Sequence, residues 1–162
     1  AREFGLRQSE TAMLDAKNKA FERIAAQRGI PSVAGVEALL DALWGRVPLA
    51  IATSSPRVFL SDILNSKGWG GRFDASFCRD DVARPKPHPE IYLRAAESLG
   101  AEPADCAAIE DSPPGLEAAH AAGLRAAGLA TNFPRGRLHR AAIVFDSLSD
   151  LPAILEFLGL AP

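Results

Sequence analysis

The sequence predicts an α/β fold in which helices cover both faces of a parallel sheet. Short apolar runs of the kind found in buried strands alternate along the chain with stretches whose apolar residues repeat at helical spacing. Glycine and proline residues separate the two kinds of segment. Strands that alternate with helices pair in parallel through crossover connections, and these connections place helices on both faces of the sheet.

Length and charge narrow the classes of function. The chain has 162 residues, of which 48% are hydrophobic, and this is enough for one full core. A net charge of −2 without a dense cluster of Lys and Arg argues against nucleic acid or an anionic membrane surface as a partner. No apolar run approaches the roughly 20 residues of a membrane span, and the amino end lacks the apolar centre of a signal peptide. We therefore predict a cytoplasmic protein with a small, soluble ligand.

The first part of the chain is predicted to be purely helical. A first helix begins at Ser9 and ends before Gly29, and a second begins at Val36 and ends before Gly45. The alternating pattern starts only after the second helix, so we place a domain seam at residues 29–34. The apolar stripes of these helices consist of Met13, Leu14, Phe21, Ile24 and Ala25 in the first and Val36, Leu39, Leu40 and Leu43 in the second.

Five strands are predicted in the rest of the chain. The first, PLAIAT, is a continuous apolar run typical of a strand buried on both faces. A helix follows it from Ser55 to Gly68, another stripe ends at Gly100, and a last one closes the chain from Leu151 to Leu158. The predicted strands cover residues 48–53, 73–78, 106–109, 125–129 and 142–145.

Two adjacent carboxylates, Glu110 and Asp111, directly follow the strand at 106–109. Ser112 and Pro113 come next and have the chemistry of a helix start, a capping hydroxyl followed by proline in the first turn. The acids therefore lie at the carboxyl end of a strand, the edge at which open α/β sheets bind ligands. Two unpaired carboxylates there would repel each other unless a cation such as Mg²⁺ neutralised them. The alternative is an acid pair favoured by the dipole of the helix start.

Two further polar features belong to the same edge of the predicted sheet. Thr53 and Ser54 end the first strand, and Lys86 lies in the proline-bounded loop RPKPHPE. Each has a structural alternative, because a threonine after a strand is often a turn residue and a lone lysine is usually solvated. A hydroxyl, an ammonium and a metal-binding acid pair at one sheet edge can jointly hold a phosphoryl group.

Three phrases in the chain resemble the motifs of a known family. ATSS, KPHPEIY and IEDSPPGLEAAHAAG are similar, in this order, to motifs two, three and four of haloacid dehalogenase-like hydrolases. The similarity is greatest to the subfamily of β-phosphoglucomutase-like enzymes and small-molecule phosphatases that carry a helical cap. It implies a Rossmann-like three-layer α/β/α core over residues 35–162 and the remnant of a helical cap over residues 1–34.

The resemblance also implies a role for each polar residue. Thr53 would hydrogen-bond the transferring phosphoryl group, with Ser54 adding a contact, and Lys86 would balance charge between phosphate and nucleophile. Asp111 would bind Mg²⁺, with Glu110 beside it directly or through water. The implied function is a Mg²⁺-dependent phosphatase of a small phosphorylated metabolite. The alternatives are a β-phosphoglucomutase-like phosphomutase and a catalytically dead relative that binds phosphate or a partner protein.

The nucleophile that this chemistry needs is not found in the chain. In the family it is an aspartate of a first motif, DxDGT, on the strand that opens the domain, and the sequence contains no such motif. The phrase IVFDSLSDL has one aspartate, Asp146, after an apolar run but lacks DxDG, and we interpret Asp146 as a turn residue. We therefore expect this polypeptide alone to be inactive as a phosphatase.

The strand of the first motif would occupy the centre of the sheet, between the strands that end at Thr53 and Glu110. Neighbouring strands lie about 4.8 Å apart, so its absence leaves a slot of about twice that width between two unpaired strand edges. Buried unpaired amides are costly. We expect the natural protein to be longer than this chain; the alternatives are that another segment or chain fills the slot, or that the core is rearranged.

Overall fold

A computed structural model describes residues 29–160, together with residues 12, 13, 16, 19, 20 and 23 of the amino-terminal part. The chain divides into two compact units, Ala1–Ser32 and Val33–Pro162. The described residues between 12 and 23 are all helical, within the first predicted helix. Ser9, Leu14, Phe21, Ile24 and Ala25 of that helix lie outside the described residues. The assignment of residues 1–34 to a cap stays a prediction.

The second unit has the alternation of helices and strands that the sequence predicts. Each predicted strand and helix between residues 36 and 158 is present. None of the helices formed by the described residues is long and apolar enough to cross a membrane. In chain order the elements are α1 (Val36–Leu43), β1 (Ala50–Ala52), α2 (Arg57–Lys67), β2 (Ala75–Phe77), α3 (Glu90–Ser98), β3 (Ala107–Glu110), α4 (Pro113–Ala122), β4 (Arg125–Leu129), β5 (Ile143–Phe145) and α5 (Leu151–Leu158).

All of the strand pairs among the described residues are parallel, and they form two sheets. β1 pairs with β2, and β3, β4 and β5 form a second sheet in that order. Within residues 29–160 no ladder joins β1 to β3, the two strands that the sequence analysis places on either side of the slot. The first strand is less buried than the sequence predicts, because it was expected to be buried on both faces. All three residues of β1 are only partly buried, and among the described residues only β2 pairs with this strand, along one of its edges.

Helices pack on both faces of the strands, so the predicted three-layer α/β/α arrangement is confirmed. On one face, Ile91 of α3 and Leu116 of α4 share a core cluster with Ala108 of β3. On the other face, Leu39 of α1 and Ile154 of α5 belong to a second cluster that includes residues of β4 and β5. Helix α3 also contacts both β1 and β2, and it therefore packs against strands of both sheets.

Replacement of Leu116 by alanine is expected to destabilise the fold by about 2–5 kcal/mol, because it leaves a cavity in a well-packed core. The side chain of Leu116 is fully buried between α4 and the sheet. Urea denaturation measures the loss. The control is Leu93→Ala on α3, where the leucine is 42% exposed, and we expect it to cost far less. Equal losses for the two variants would contradict the described packing of α4.

Candidate active site

Thr53 lies directly after β1, and the local backbone fixes its side chain. Its amide donates to the carbonyl of Phe77 at 2.9 Å, which extends the pairing of β1 with β2 by one residue. Its Oγ1 accepts a hydrogen bond from the amide of Ser55 at 3.1 Å. This small turn is the structural role that a threonine after a strand often has. It also leaves the hydroxyl hydrogen free to be donated, beside the exposed side chain of Ser54.

The start of helix α4 positions the acid pair. Ser112 is the N-cap, as predicted, and its Oγ accepts a hydrogen bond from the amide of Gly115 at 3.2 Å. The same hydroxyl donates to Oε2 of Glu110 at 3.1 Å. Glu110 ends β3 and is buried, whereas Asp111, the next residue, is only partly buried. The two acids therefore occupy different environments.

Lys86 and Glu110 form a buried ion pair. Their side chains are 6% and 7% exposed, and Nζ of Lys86 donates to Oε1 of Glu110. The alternative in which Lys86 is a solvated side chain is excluded. An ammonium neutralises the inner of the two adjacent acids, a role that the sequence left to a cation such as Mg²⁺. A pair of opposite charges offsets much of the cost of burying each.

The ammonium of Lys86 connects the ends of two strands that no ladder joins. Besides Glu110 at the end of β3, it donates to the carbonyl of Ala52, the last residue of β1, at 3.0 Å. Thr53 is the residue after Ala52, and Asp111 is the residue after Glu110. The structure thus places Lys86 against the residues that immediately precede Thr53 and Asp111.

Tyr92, the last residue of the phrase KPHPEIY, is a site residue to which the sequence alone gave no role. Its hydroxyl donates to Oε1 of Glu110 at 2.5 Å and accepts from Nζ of Lys86 at 3.2 Å. Burial, and then the negative charge of Glu110, raise the pKa of Tyr92 far above its usual value, so the phenol stays neutral. The sequence did contain a signal for this role, namely a tyrosine in the first turn of the helix that follows the Lys86 loop.

Gly115 provides the space for the buried carboxylate of Glu110. A Cβ atom at position 115 would lie 2.0–2.3 Å from the carboxylate atoms of Glu110, well inside van der Waals contact. The glycine is in the first turn of α4, where its low helix propensity would otherwise be a disadvantage. A glycine inside the first turn of a predicted helix, five residues after an acid, was the signal in the sequence.

Asp111 has a polar partner of a different kind. Nδ2 of Asn132, an exposed residue after the end of β4, donates to Oδ2 of Asp111. Within residues 29–160, no Lys, Arg or His pairs with Asp111. Asn132 was missed by the sequence analysis; its position close to the carboxyl end of a strand was the signal.

The carboxylate of Asp111 is a type of ligand that suits Mg²⁺, although the described residues do not provide a complete set of protein ligands. They contain no group of three or more His, Cys, Asp and Glu residues that could hold a metal ion. Mg²⁺ is typically bound by one or two carboxylates, with water and phosphate oxygens completing its coordination. The carboxylate of Asp111 is such a hard oxygen ligand, whereas both oxygens of Glu110 already accept hydrogen bonds from protein groups.

Asp146, the one aspartate in a phrase that weakly imitates the first motif, has a structural partner. Its carboxylate accepts from Arg135 at 2.8 Å, and Arg135 also donates to the carbonyl of Val144 in β5. The pair is exposed. These contacts fit our interpretation of Asp146 as a residue of the turn after β5.

Fold and site together define the class of protein: a three-layer α/β/α protein with its polar groups gathered at the carboxyl ends of parallel strands. A sequence model for a hydrolase family, described as haloacid dehalogenase-like hydrolase, matches residues 2–123. The chain belongs to the haloacid dehalogenase-like hydrolase family.

Individual relatives agree with this assignment. The chain is 38% identical to protein CbbY of Rhodobacter capsulatus over 125 residues, which cover 75% of this chain and 55% of that protein. It is 33% identical to validoxylamine A 7′-phosphate phosphatase of Streptomyces hygroscopicus subsp. limoneus over 131 residues, covering 78% of this chain and 62% of that protein. The chain therefore spans between half and two thirds of the length of these curated relatives.

A solved structure shows the same fold. The β-phosphoglucomutase of Clostridium difficile superposes with a TM-score of 0.77 at 27% sequence identity, over 97% of this chain and 73% of that one. The predicted resemblance to the haloacid dehalogenase-like fold is thus confirmed.

Proposed function

We propose that this chain provides the phosphate- and metal-binding part of a Mg²⁺-dependent phosphatase of a small phosphorylated metabolite. The observation that carries the proposal is the buried ammonium of Lys86, hydrogen-bonded at once to the end of β1 and the end of β3. Membership of the hydrolase family supports it, as does the similarity to a protein named as a phosphatase of validoxylamine A 7′-phosphate. The cytoplasmic location stays a prediction.

In this proposal, the hydroxyl and ammonium groups bind the phosphoryl group. Thr53 donates its hydroxyl hydrogen to a phosphoryl oxygen, and Ser54 adds a second contact from the same turn. Lys86 supplies a fixed positive charge that stabilises the negative charge of the phosphoryl oxygens. Groups fixed in this way are effective because they need no reorganisation when charge develops in the reaction.

Asp111 is the residue that would hold Mg²⁺, with Glu110 beside it, acting directly or through water. When bound, Mg²⁺ supplies positive charge that polarises and orients the phosphoryl group. The different environments of the two acids support this division of roles. Asp111 has no cationic partner within the described residues, whereas Glu110 is already paired with Lys86.

The nucleophile belongs to a part of the family pattern that this chain does not contain. The family resemblance implies an aspartate that accepts the phosphoryl group and then passes it to water. One difficult displacement is thereby divided into two easier ones. The sequence has no DxDGT motif, and Asp146 is paired with Arg135. We therefore predict that this polypeptide alone does not turn over p-nitrophenyl phosphate, a result to be measured on a sample whose intact mass matches the sequence.

A phosphomutase is the second candidate, favoured by the structural similarity to a β-phosphoglucomutase. It would use the same residues and differ only in whether a sugar-phosphate hydroxyl or water accepts the phosphoryl group. A catalytically dead relative that binds phosphate or a partner protein is the candidate from another class. The reading frame upstream of Ala1 distinguishes an enzyme from a binding protein. Codons for an apolar strand followed by DxDGT support an enzyme, and a start codon alone supports a binding protein.

Binding of inorganic phosphate to this chain tests the proposal directly. We expect calorimetry to show binding that strengthens in the presence of Mg²⁺ and weakens by at least about tenfold in Lys86→Met, because a fixed positive charge beside the phosphoryl group is lost. Lys67→Met, in the last turn of α2, is the matched control and should bind as the unmodified chain does. Asp111→Asn should abolish the Mg²⁺ effect, with Asp62→Asn on α2 as its control. Equal phosphate affinity in Lys86→Met and Lys67→Met would refute the proposal, provided that circular dichroism shows both to be folded.

A further inference from the structure

We propose that Tyr92 is a positioning residue of this site, whose hydroxyl group links Glu110 to Lys86 and fixes the position of the Lys86 ammonium. This role rests on the proposed function of Lys86 in phosphate binding. It extends that function to Tyr92, a buried residue of α3. In this proposal Tyr92 belongs to the core and does not itself contact the phosphate.

The first support is the complete set of acceptors around the lysine. An ammonium group has three N–H donors. Nζ of Lys86 has three acceptors in three directions: the Ala52 carbonyl at 3.0 Å, the Tyr92 hydroxyl at 3.2 Å and the Glu110 carboxylate. A lysine with only one partner can rotate about its flexible stem, whereas three acceptors define a single orientation of the group.

The second support is that Tyr92 contacts the lysine through two features. Its ring centroid lies 4.7 Å from Nζ of Lys86, in the range of a cation–π contact. Its hydroxyl accepts from Lys86 and donates to Oε1 of Glu110, the oxygen to which Lys86 also donates. Lysine, tyrosine and glutamate thus form a closed triangle of hydrogen bonds. Removal of the hydroxyl opens two sides of this triangle and leaves the ring in place.

The third support is that the acidic member of the triangle is itself held in place. Oε2 of Glu110 accepts from Ser112, the N-cap of α4, and a Cβ atom at position 115 would overlap the carboxylate where it now lies. The hydroxyl of Ser112 at the start of α4 therefore holds Glu110, and Tyr92 links that carboxylate to the lysine. The link runs from the start of α4, through α3, to the end of β1.

The alternative is that Tyr92 serves only to fill the core. It is 6% exposed and belongs to the same apolar cluster as Ile91 and Leu116, so the ring alone accounts for part of its burial. Phenylalanine would serve that packing role equally well, because it lacks only the hydroxyl. The two roles therefore predict different outcomes for Tyr92→Phe.

The test uses NMR of lysine ammonium groups together with ligand binding, in Tyr92→Phe and the unmodified chain. The chain has one tyrosine and four lysines, so the signals are few and Lys86→Met assigns the signal of Lys86. We expect the Lys86 ammonium to exchange its hydrogens slowly in the unmodified chain and at least about tenfold faster in Tyr92→Phe. Inorganic phosphate, titrated in the presence of Mg²⁺, should bind about tenfold more weakly, because the ammonium is no longer held in its position and misplacement of a fixed group is costly. Affinity for Mg²⁺ alone should change less than about twofold.

Ser66→Ala is the matched control, because it also removes one hydroxyl hydrogen bond, from an exposed position in α2. It should alter neither the ammonium signal nor phosphate binding. The positioning role is overturned if Tyr92→Phe keeps the slow exchange of Lys86, or if phosphate and Mg²⁺ affinity fall together with the melting temperature. If the unmodified chain binds no phosphate at all, the proposed function fails, and the exchange rate of the Lys86 ammonium then decides the positioning role by itself.

Discussion

Replacement of Glu110 by alanine is expected to lower the free energy of unfolding by about 3–5 kcal/mol, because it leaves the ammonium of Lys86 buried without its charged partner. More than nine tenths of both side chains is hidden from solvent. The same change removes the acceptor of the Tyr92 and Ser112 hydroxyl groups, and unsatisfied buried donors add to the cost. Urea denaturation at neutral pH measures the loss.

Two further variants separate the cost of an isolated charge from the loss of a side chain. Glu97→Ala, at an exposed position of α3, should change stability by less than about 0.5 kcal/mol. The double variant Glu110→Leu with Lys86→Met removes both charges and should be more stable than either single variant at these positions. Strictly additive losses in the double variant would show that the two side chains do not depend on each other, contrary to the described ion pair.

Replacement of Gly35 by alanine should lower the free energy of unfolding by roughly 2–5 kcal/mol, through two effects that add. A residue with a side chain is strained in a left-handed backbone conformation, and its Cβ atom would overlap atoms in a packed region. Gly35 precedes α1 with a φ of 87°. A Cβ atom there would lie 2.3 Å from the amide nitrogen of Ser149 and 2.4 Å from the carbonyl carbon of Leu148. The backbone before α5 would have to move, and we expect a lower melting temperature by calorimetry.

Gly45 offers a matched control for this prediction, because only one of the two factors applies to it. Its φ is 72°, but no atom lies within 4 Å of an added Cβ. Gly45→Ala should therefore cost about 1–2 kcal/mol, from the backbone alone. If the two alanine variants lose the same stability, the close approach of Gly35 to the residues before α5 is absent in solution.

Much of the fold could be predicted because the signals for helix ends are local. Gly68 and Gly123 end α2 and α4 with positive φ angles, and Ser112 caps α4 as its sequence context indicates. Strand ends were less predictable. Strand β1 covers three residues, although the apolar run extends over residues 48–53. The length of a strand depends on how far its neighbours pair with it, and composition does not carry that information.

The sequence predicted where the polar residues lie and much less about their contacts. Thr53 and Asp111 follow strands of parallel sheets, so topology alone brings them to the same kind of edge. The pairing of Lys86 with Glu110 and the bridge through Tyr92 depend on how α3 packs, which involves residues far apart in the chain. Asn132 was missed for the same reason, because it reaches Asp111 from the loop after a different strand.

Helix α3 packs against strands of both sheets, so a substitution in this helix can change the geometry of the site. No backbone ladder sets the spacing between the tips of β1 and β3 within the described residues. The spacing therefore depends on the ammonium of Lys86, which bonds to both tips, and on the side chains beneath them, Ile91 among them. A displacement of about 1 Å among catalytic groups can alter rates by orders of magnitude. If the proposed phosphate site is present, exchange of one aliphatic residue for another in this helix is expected to change its affinity for phosphate without any change in charge.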